Sequence, residues 1–246
     1  MWTRAELKDR AKDVLRGRYW KSFLVSLVIV LISEGSAVTF RKDGESAYNY
    51  FNNINPAFVI SVLGISVTVF AISIIVALFL FNPLEVGGRR YYVQSAQYFD
   101  NRRCFRFAFD ENNYISIVGA MALKSLYLFL WTLLFIIPGI VKSYSYRMVP
   151  YILADNPNIG ASRAIELSNK MTYGHKFDMF ILDLSFLGWY FLGLLCFGVG
   201  TLFVKPYEHA TNAELYLTLR QNAIERGDVS LWELNLYDPL GQEYNI

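Results

Sequence analysis

Residues Lys124–Pro157, KSLYLFLWTLLFIIPGIVKSYSYRMVPYILADNP, decide how the rest of the chain is read. Ser125 to Val141 has no acidic or basic side chain and is interrupted near its end by Pro138 and Gly139. The following segment is apolar but holds Lys142, Tyr144, Tyr146, Arg147 and Tyr151, contains Pro150, and stops at Asp155-Asn156-Pro157. An uncharged run of this length suits the roughly 20 residues that cross a bilayer core, and Pro-Gly punctuates a helix. The stretch predicts a membrane helix, a tight turn at Pro138-Gly139 and a more polar helix returning. That return, Val141 to Ala154, is short for a full crossing. A turn sunk in the membrane is tolerated only where other helices bury it.

Composition agrees. Hydrophobic residues make up 54% and charged residues 18%, against about 45–50% and about 25% in soluble domains. A net charge of +2 leaves no nucleic-acid footprint. Cys104 and Cys196 stand far apart with no CxxC or metal spacing, and they read as free thiols. With only His175 and His209 beside them, the sequence offers no metal site and no cofactor motif.

From the central stretch, the pattern extends both ways. Residues 1–20 predict an amphipathic helix: Thr3 and Glu6 fit a capping box, and Leu7, Ala11, Val14 and Leu15 share one face. Arg4, Lys8 and Lys12 lie on the other face, where they either meet anionic headgroups or point to water on a docked helix. Residues 21–222 form the transmembrane domain and 223–246 a cytoplasmic tail. Its spans run from Ser22 to Phe40, with Glu34 near the outer interface; Ala57 to Phe81; Tyr114 to Ile137; Val141 to Ala154; Phe177 to about Leu194; and from Cys196 onward after a turn near Gly193 to Gly198. Residues 158–176 read as a second amphipathic helix. The fold class is an all-α polytopic bundle of six spans, with four as the alternative. Six spans place 18 Lys and Arg on one side and 3 on the other. That split puts both termini in the cytoplasm of a cell membrane by the positive-inside rule.

The even-numbered spans each meet a proline near their cytoplasmic end: Pro83, Pro150 and Pro206, with Glu85 and Glu208 two residues after the first and last. A proline frees the carbonyl four residues earlier, here Phe79, Tyr146 and Leu202, and those oxygens need partners inside the bundle. Lys124, Arg147 and Asp183 fall within spans, where charge is expensive and faces a bundle interior or a water-filled cavity. Counting about 1.5 Å per residue, Arg147 and Asp183 sit at similar depth, which predicts an ion pair with Lys124 near it. Glu85 and Glu208 are the other partners within reach.

PLEVGGRRYY (83–92), IIPGIVKSYSYRMVPYILADNP (136–157), AIELSNKMTYGHK (164–176) and KPYEHATNAELY (205–216), with the N-terminal R-x-E-L-K-x-x-A-K, resemble a bacterial integral-membrane family catalogued as domain of unknown function 975. A looser likeness, P-G-I followed by proline and A-I-x-x-S, connects the chain to the membrane domain of some glycerophosphodiester phosphodiesterases and reaches no catalytic residue. The resemblance implies a membrane location and a helical bundle. No HExxH, Walker or GxSxG motif is present. The expected role is therefore non-enzymatic: a bundle that binds or moves a small amphiphile or lipid through its polar cytoplasmic half. The alternative is a scaffold that holds a membrane-protein partner or anionic lipid on basic segments, including Arg89 to Arg106.

Overall fold

The computed structural model describes residues 2–16, 19–34, 56–195 and 199–236, and the regular structure among them is helical. Helix α1 (Arg4–Leu15) starts at Thr3, whose hydroxyl accepts from the Glu6 N–H at 3.3 Å. The capping box is only half formed, because the Glu6 carboxylate turns to Arg10 on the next turn. Leu7, Ala11, Val14 and Leu15 are buried, and α1 packs along the C-terminal long helix. Helix α2 (Tyr19–Glu34) follows. The expected loop at 41–56 lies, apart from Pro56, outside the described residues, as do Phe40 and Cys196.

Next comes one long rod: α3 (Pro56–Val76), a π-helical turn (Ala77–Phe81) and α4 (Asn82–Ala96). Over 63–76 nearly every α3 side chain is exposed, including Leu63, Ile65, Val67, Phe70 and Ile72. A helix apolar on all faces, uncovered by the other described residues, suits a lipid surround. Past Pro83 the same rod is buried at Val86, Tyr91, Tyr92 and Val93. The proline-freed Phe79 carbonyl is answered by the Tyr114 hydroxyl at 2.8 Å. Rather than breaking the helix, Pro83 sits at the start of α4, where a missing N–H is tolerated.

A short helix, α5 (Cys104–Ala108), leads to α6 (Glu111–Leu134). The hairpin to α7 (Ile136–Ser145) turns on a single extended residue, Phe135. The sequence placed this turn at Pro138-Gly139, but both lie inside the first turn of α7. At Pro138, the third residue of α7, an N–H would lack a helical partner anyway, so proline costs nothing. Gly139 instead permits contact: a Cβ there would stand 2.7 Å from Thr132 Oγ1. The chain breaks again at Tyr146–Met148, then forms α8 (Val149–Asp155), with Pro150 in its first turn, and α9 (Ala161–Met171). Ala164, Ile165, Leu167, Ser168 and Met171 form α9's buried face.

Helices α10 (Lys176–Leu195) and α11 (Val199–Glu225) form the last hairpin. A Cβ on Gly200 would come within 2.7 Å of Gly193 Cα, so the backbones cross in direct contact. Pro206 lies inside α11, which continues through it rather than ending. The expected tail folds back as far as Leu236, with Val229 and Leu234 buried and Glu233 tied to Arg163 at 2.6 Å. Three described helices are long and apolar enough to cross a membrane: Leu63–Ala96, Glu111–Leu134 and Lys176–Leu195. The first has 34 residues, about 51 Å at ~1.5 Å per residue, and so outruns a ~30 Å core.

Candidate functional site: a buried charge network beside an apolar groove

The breaks and prolines bring charged side chains of four helices inward. Arg147, in the gap before α8, grips Asp183 of α10 with two bonds of 2.8 Å each. Its second terminal nitrogen also reaches Asn212 of α11 at 3.0 Å, and the Tyr144 hydroxyl donates to Asp183 at 2.9 Å. Such a fork-to-carboxylate pair is both strong and geometrically fixed. Depth along the helices thus brought Arg147 and Asp183 to one another as expected. Lys124, expected beside them, acts instead through space on Glu85.

A second cluster, not foreseen in the sequence, centres on Arg89. It is one helical turn past Glu85, with 3.3 Å between guanidinium and carboxylate. It also reaches the Tyr151 hydroxyl at 3.3 Å and His209 Nδ1 at 2.8 Å. An arginine only donates, so Nδ1 is the acceptor and the neutral ring carries its proton on Nε2. That Nε2 is buried and has no partner among the described residues. The i,i+4 spacing of Glu85 and Arg89 was the available signal, whereas the histidine's part depends on α4 and α11 packing together. Glu208 takes the Tyr190 hydroxyl and lies 3.5 Å from Lys205.

The surface cations of α1 divide. Arg4 is exposed, and Lys12 pairs with Asp9 at 3.0 Å. Lys8 turns inward, donating to the Ser185 carbonyl at 3.4 Å and lying 4.5 Å from the Phe186 ring centre. Its aliphatic stem packs on α10, so it is not a free headgroup contact. Among the described residues no group of three or more His, Cys, Asp or Glu comes together to hold a metal. Cys104 is buried against Gln94, which pushes its thiol up to about 11 and keeps it unreactive.

The charge network is packed, but beside it a groove of about 630 Å³ opens between the start of α2 and the α10–α11 hairpin. Trp189, Leu192, Gly193, Gly200 and Phe203 line it, and Lys12 and Arg16 stand at its rim.

Three helices long and apolar enough to cross a membrane, with ion pairs between elements of the bundle, fit a helical membrane protein. Residues 120–223 match the family described as protein of unknown function (DUF975). No curated protein and no solved structure matches the chain, so the looser likeness to glycerophosphodiester phosphodiesterases gains no support from them.

Proposed function

We propose that this is a non-enzymatic, multi-pass membrane protein that binds a lipid or similar small amphiphile in the groove beside the α10–α11 hairpin. The observation that carries the reading is the groove itself, almost wholly apolar along its length and cationic at one end. Its 630 Å³ falls within the range of ligand pockets, about 300–1,000 Å³. Acyl chains suit the Trp189–Phe203 walls, and an anionic headgroup suits Lys12 and Arg16. A basic side chain near an anionic surface contributes about 1 kcal/mol; here Asp9 and Asp13, 3.0 and 3.8 Å from Lys12 and Arg16, reduce that share.

Binding is favoured over passage through the polar core, because Arg147 and Asp183 satisfy one another there. Scaffolding through the 89–106 segment is disfavoured, because Arg89 and Arg90 turn inward and leave Arg102, Arg103 and Arg106 as its exposed cations. In this reading six spans put both termini in the cytoplasm of a cell membrane, from the 18-to-3 division of Lys and Arg.

Native mass spectrometry of the full chain in uncharged detergent tests it. Wild type is expected to retain phosphatidylglycerol in preference to phosphatidylcholine. Lys12→Gln with Arg16→Gln should remove the preference, and Val204→Trp, which fills the groove, should expel both lipids. Equal retention of both lipids by wild type and Val204→Trp refutes the assignment.

A further inference from the structure

A separate cleft of about 290 Å³ lies where the end of α4 meets α8, α11 and the turn at Leu234–Leu236. Arg90, Gln94, Asp155, Arg220 and Asn235 are among its lining residues. Two guanidinium groups therefore face one carboxylate. Asp155 is already engaged: one of its oxygens accepts from Arg220 at 2.9 Å and from the Tyr216 hydroxyl at 2.6 Å. Arg220 is 1% exposed, and its buried Nε has no partner among the described residues. Among the described residues Arg90 has only neutral close partners. It donates to the Ala154 carbonyl, lies 3.7 Å from the Phe107 ring centre, and can reach the Gln94 amide oxygen at 3.3 Å once that amide is turned to donate to the Asp100 carbonyl. Asp155 acts on it through space but is held by Arg220 and Tyr216.

A desolvated cation without a full counter-charge is unfavourable, and a bound anion relieves it. Guanidinium forks match phosphate oxygens in pairs. The volume is at the small end for ligand pockets, so the cleft suits a headgroup-sized anion rather than acyl chains. Arg90 also lies about 10 Å along the rod from Pro83, at ~1.5 Å per residue, beyond the lipid-exposed stretch.

We propose that this cleft binds a phosphate group, with Arg90 and Arg220 as its cationic donors and Asn235 as a neutral one. The group belongs either to a lipid headgroup or to a soluble phosphate, and this site is independent of the acyl groove.

The test is thermal unfolding of the full chain, in uncharged detergent with inorganic phosphate against chloride at equal ionic strength, and in nanodiscs with or without phosphatidylglycerol. Wild type should gain stability from phosphate, from phosphatidylglycerol, or from both. Response to phosphate identifies a soluble source, and response to phosphatidylglycerol alone identifies the headgroup. In either case Arg90→Gln should weaken the apparent affinity roughly tenfold or more. Gln97→Glu, which adds a carboxylate to the rim and touches none of the bonds described, should do the same and decides the matter if Arg90→Gln fails to fold. The proposal is overturned if wild type responds to neither ligand, if chloride matches phosphate, or if both variants respond as wild type does.

Discussion

Replacing Asp183 with Ala removes both 2.8 Å bonds from Arg147 and leaves that guanidinium, among the described residues, with Asn212 as its hydrogen-bond partner. Arginine cannot shed its proton, so the charge stays in the bundle uncompensated. Losing one partner of a fully buried pair costs about 3–5 kcal/mol. These side chains are 34% and 20% exposed, which lowers the expected loss to about 2–3 kcal/mol. Arg147→Ala should cost less, about 1–2 kcal/mol, because a lone carboxyl can take up a proton and keeps the Tyr144 hydroxyl as partner. The double variant then escapes the orphaned-charge penalty and should fall short of the summed losses by at least about 1 kcal/mol. Reversible unfolding in mixed detergent micelles measures all three. Additivity within about 0.5 kcal/mol, or a milder effect for Asp183→Ala than for Arg147→Ala, would show that the pair does not fasten α10 to the α7–α8 break.

Gly200→Val drives a side chain into Gly193 Cα, 2.7 Å from the new Cβ, so the last hairpin should open and the protein should lose its monodisperse peak on size exclusion. Gly188→Ala, whose Cβ meets nothing within 4 Å, should behave as wild type. Burial pushes the Glu214 carboxyl up, against a weaker opposing pull from Arg10. A raised folded-state pKa makes this carboxylate a burden above the folded value, a burden that disappears as pH falls below the unfolded one, near 4.3. Glu214→Gln should accordingly raise the melting temperature at pH 7.5, and melting curves across pH should show the advantage vanishing near pH 4.

What the sequence disclosed was what a linear ruler can measure. Arg147 and Asp183 were matched because both distances run along helices from identifiable span ends, and the amphipathic helix within 158–176 was matched, as α9, because 3.6-residue periodicity reports burial directly. Phe79 was marked as needing a donor by the chemistry of Pro83, although nothing local pointed to Tyr114. The ruler failed where proline was taken as a stop: Pro138 and Pro83 occupy first turns, and Pro206 is carried through α11. Arg89 and Arg90 looked like ordinary juxtamembrane cations. Their inward course depends on α4, α8 and α11 meeting, which no one-dimensional pattern encodes.

The π turn at Ala77–Phe81 has a bearing on how this rod was assembled. A turn closed by i→i+5 bonds holds one residue more than an α turn, and one residue is about 100° of rotation. The extra residue therefore sets the phase between two lengths of helix with different surroundings, one exposed and apolar, the other packed against the bundle. Removing a residue within Ala77–Phe81 while relaxing the turn to α geometry keeps Glu85, Arg89 and Tyr92 facing the same neighbours. Deleting Leu84, past the turn, would swing all three out of register. A single-residue deletion should thus be absorbed at this turn and not a few residues beyond it.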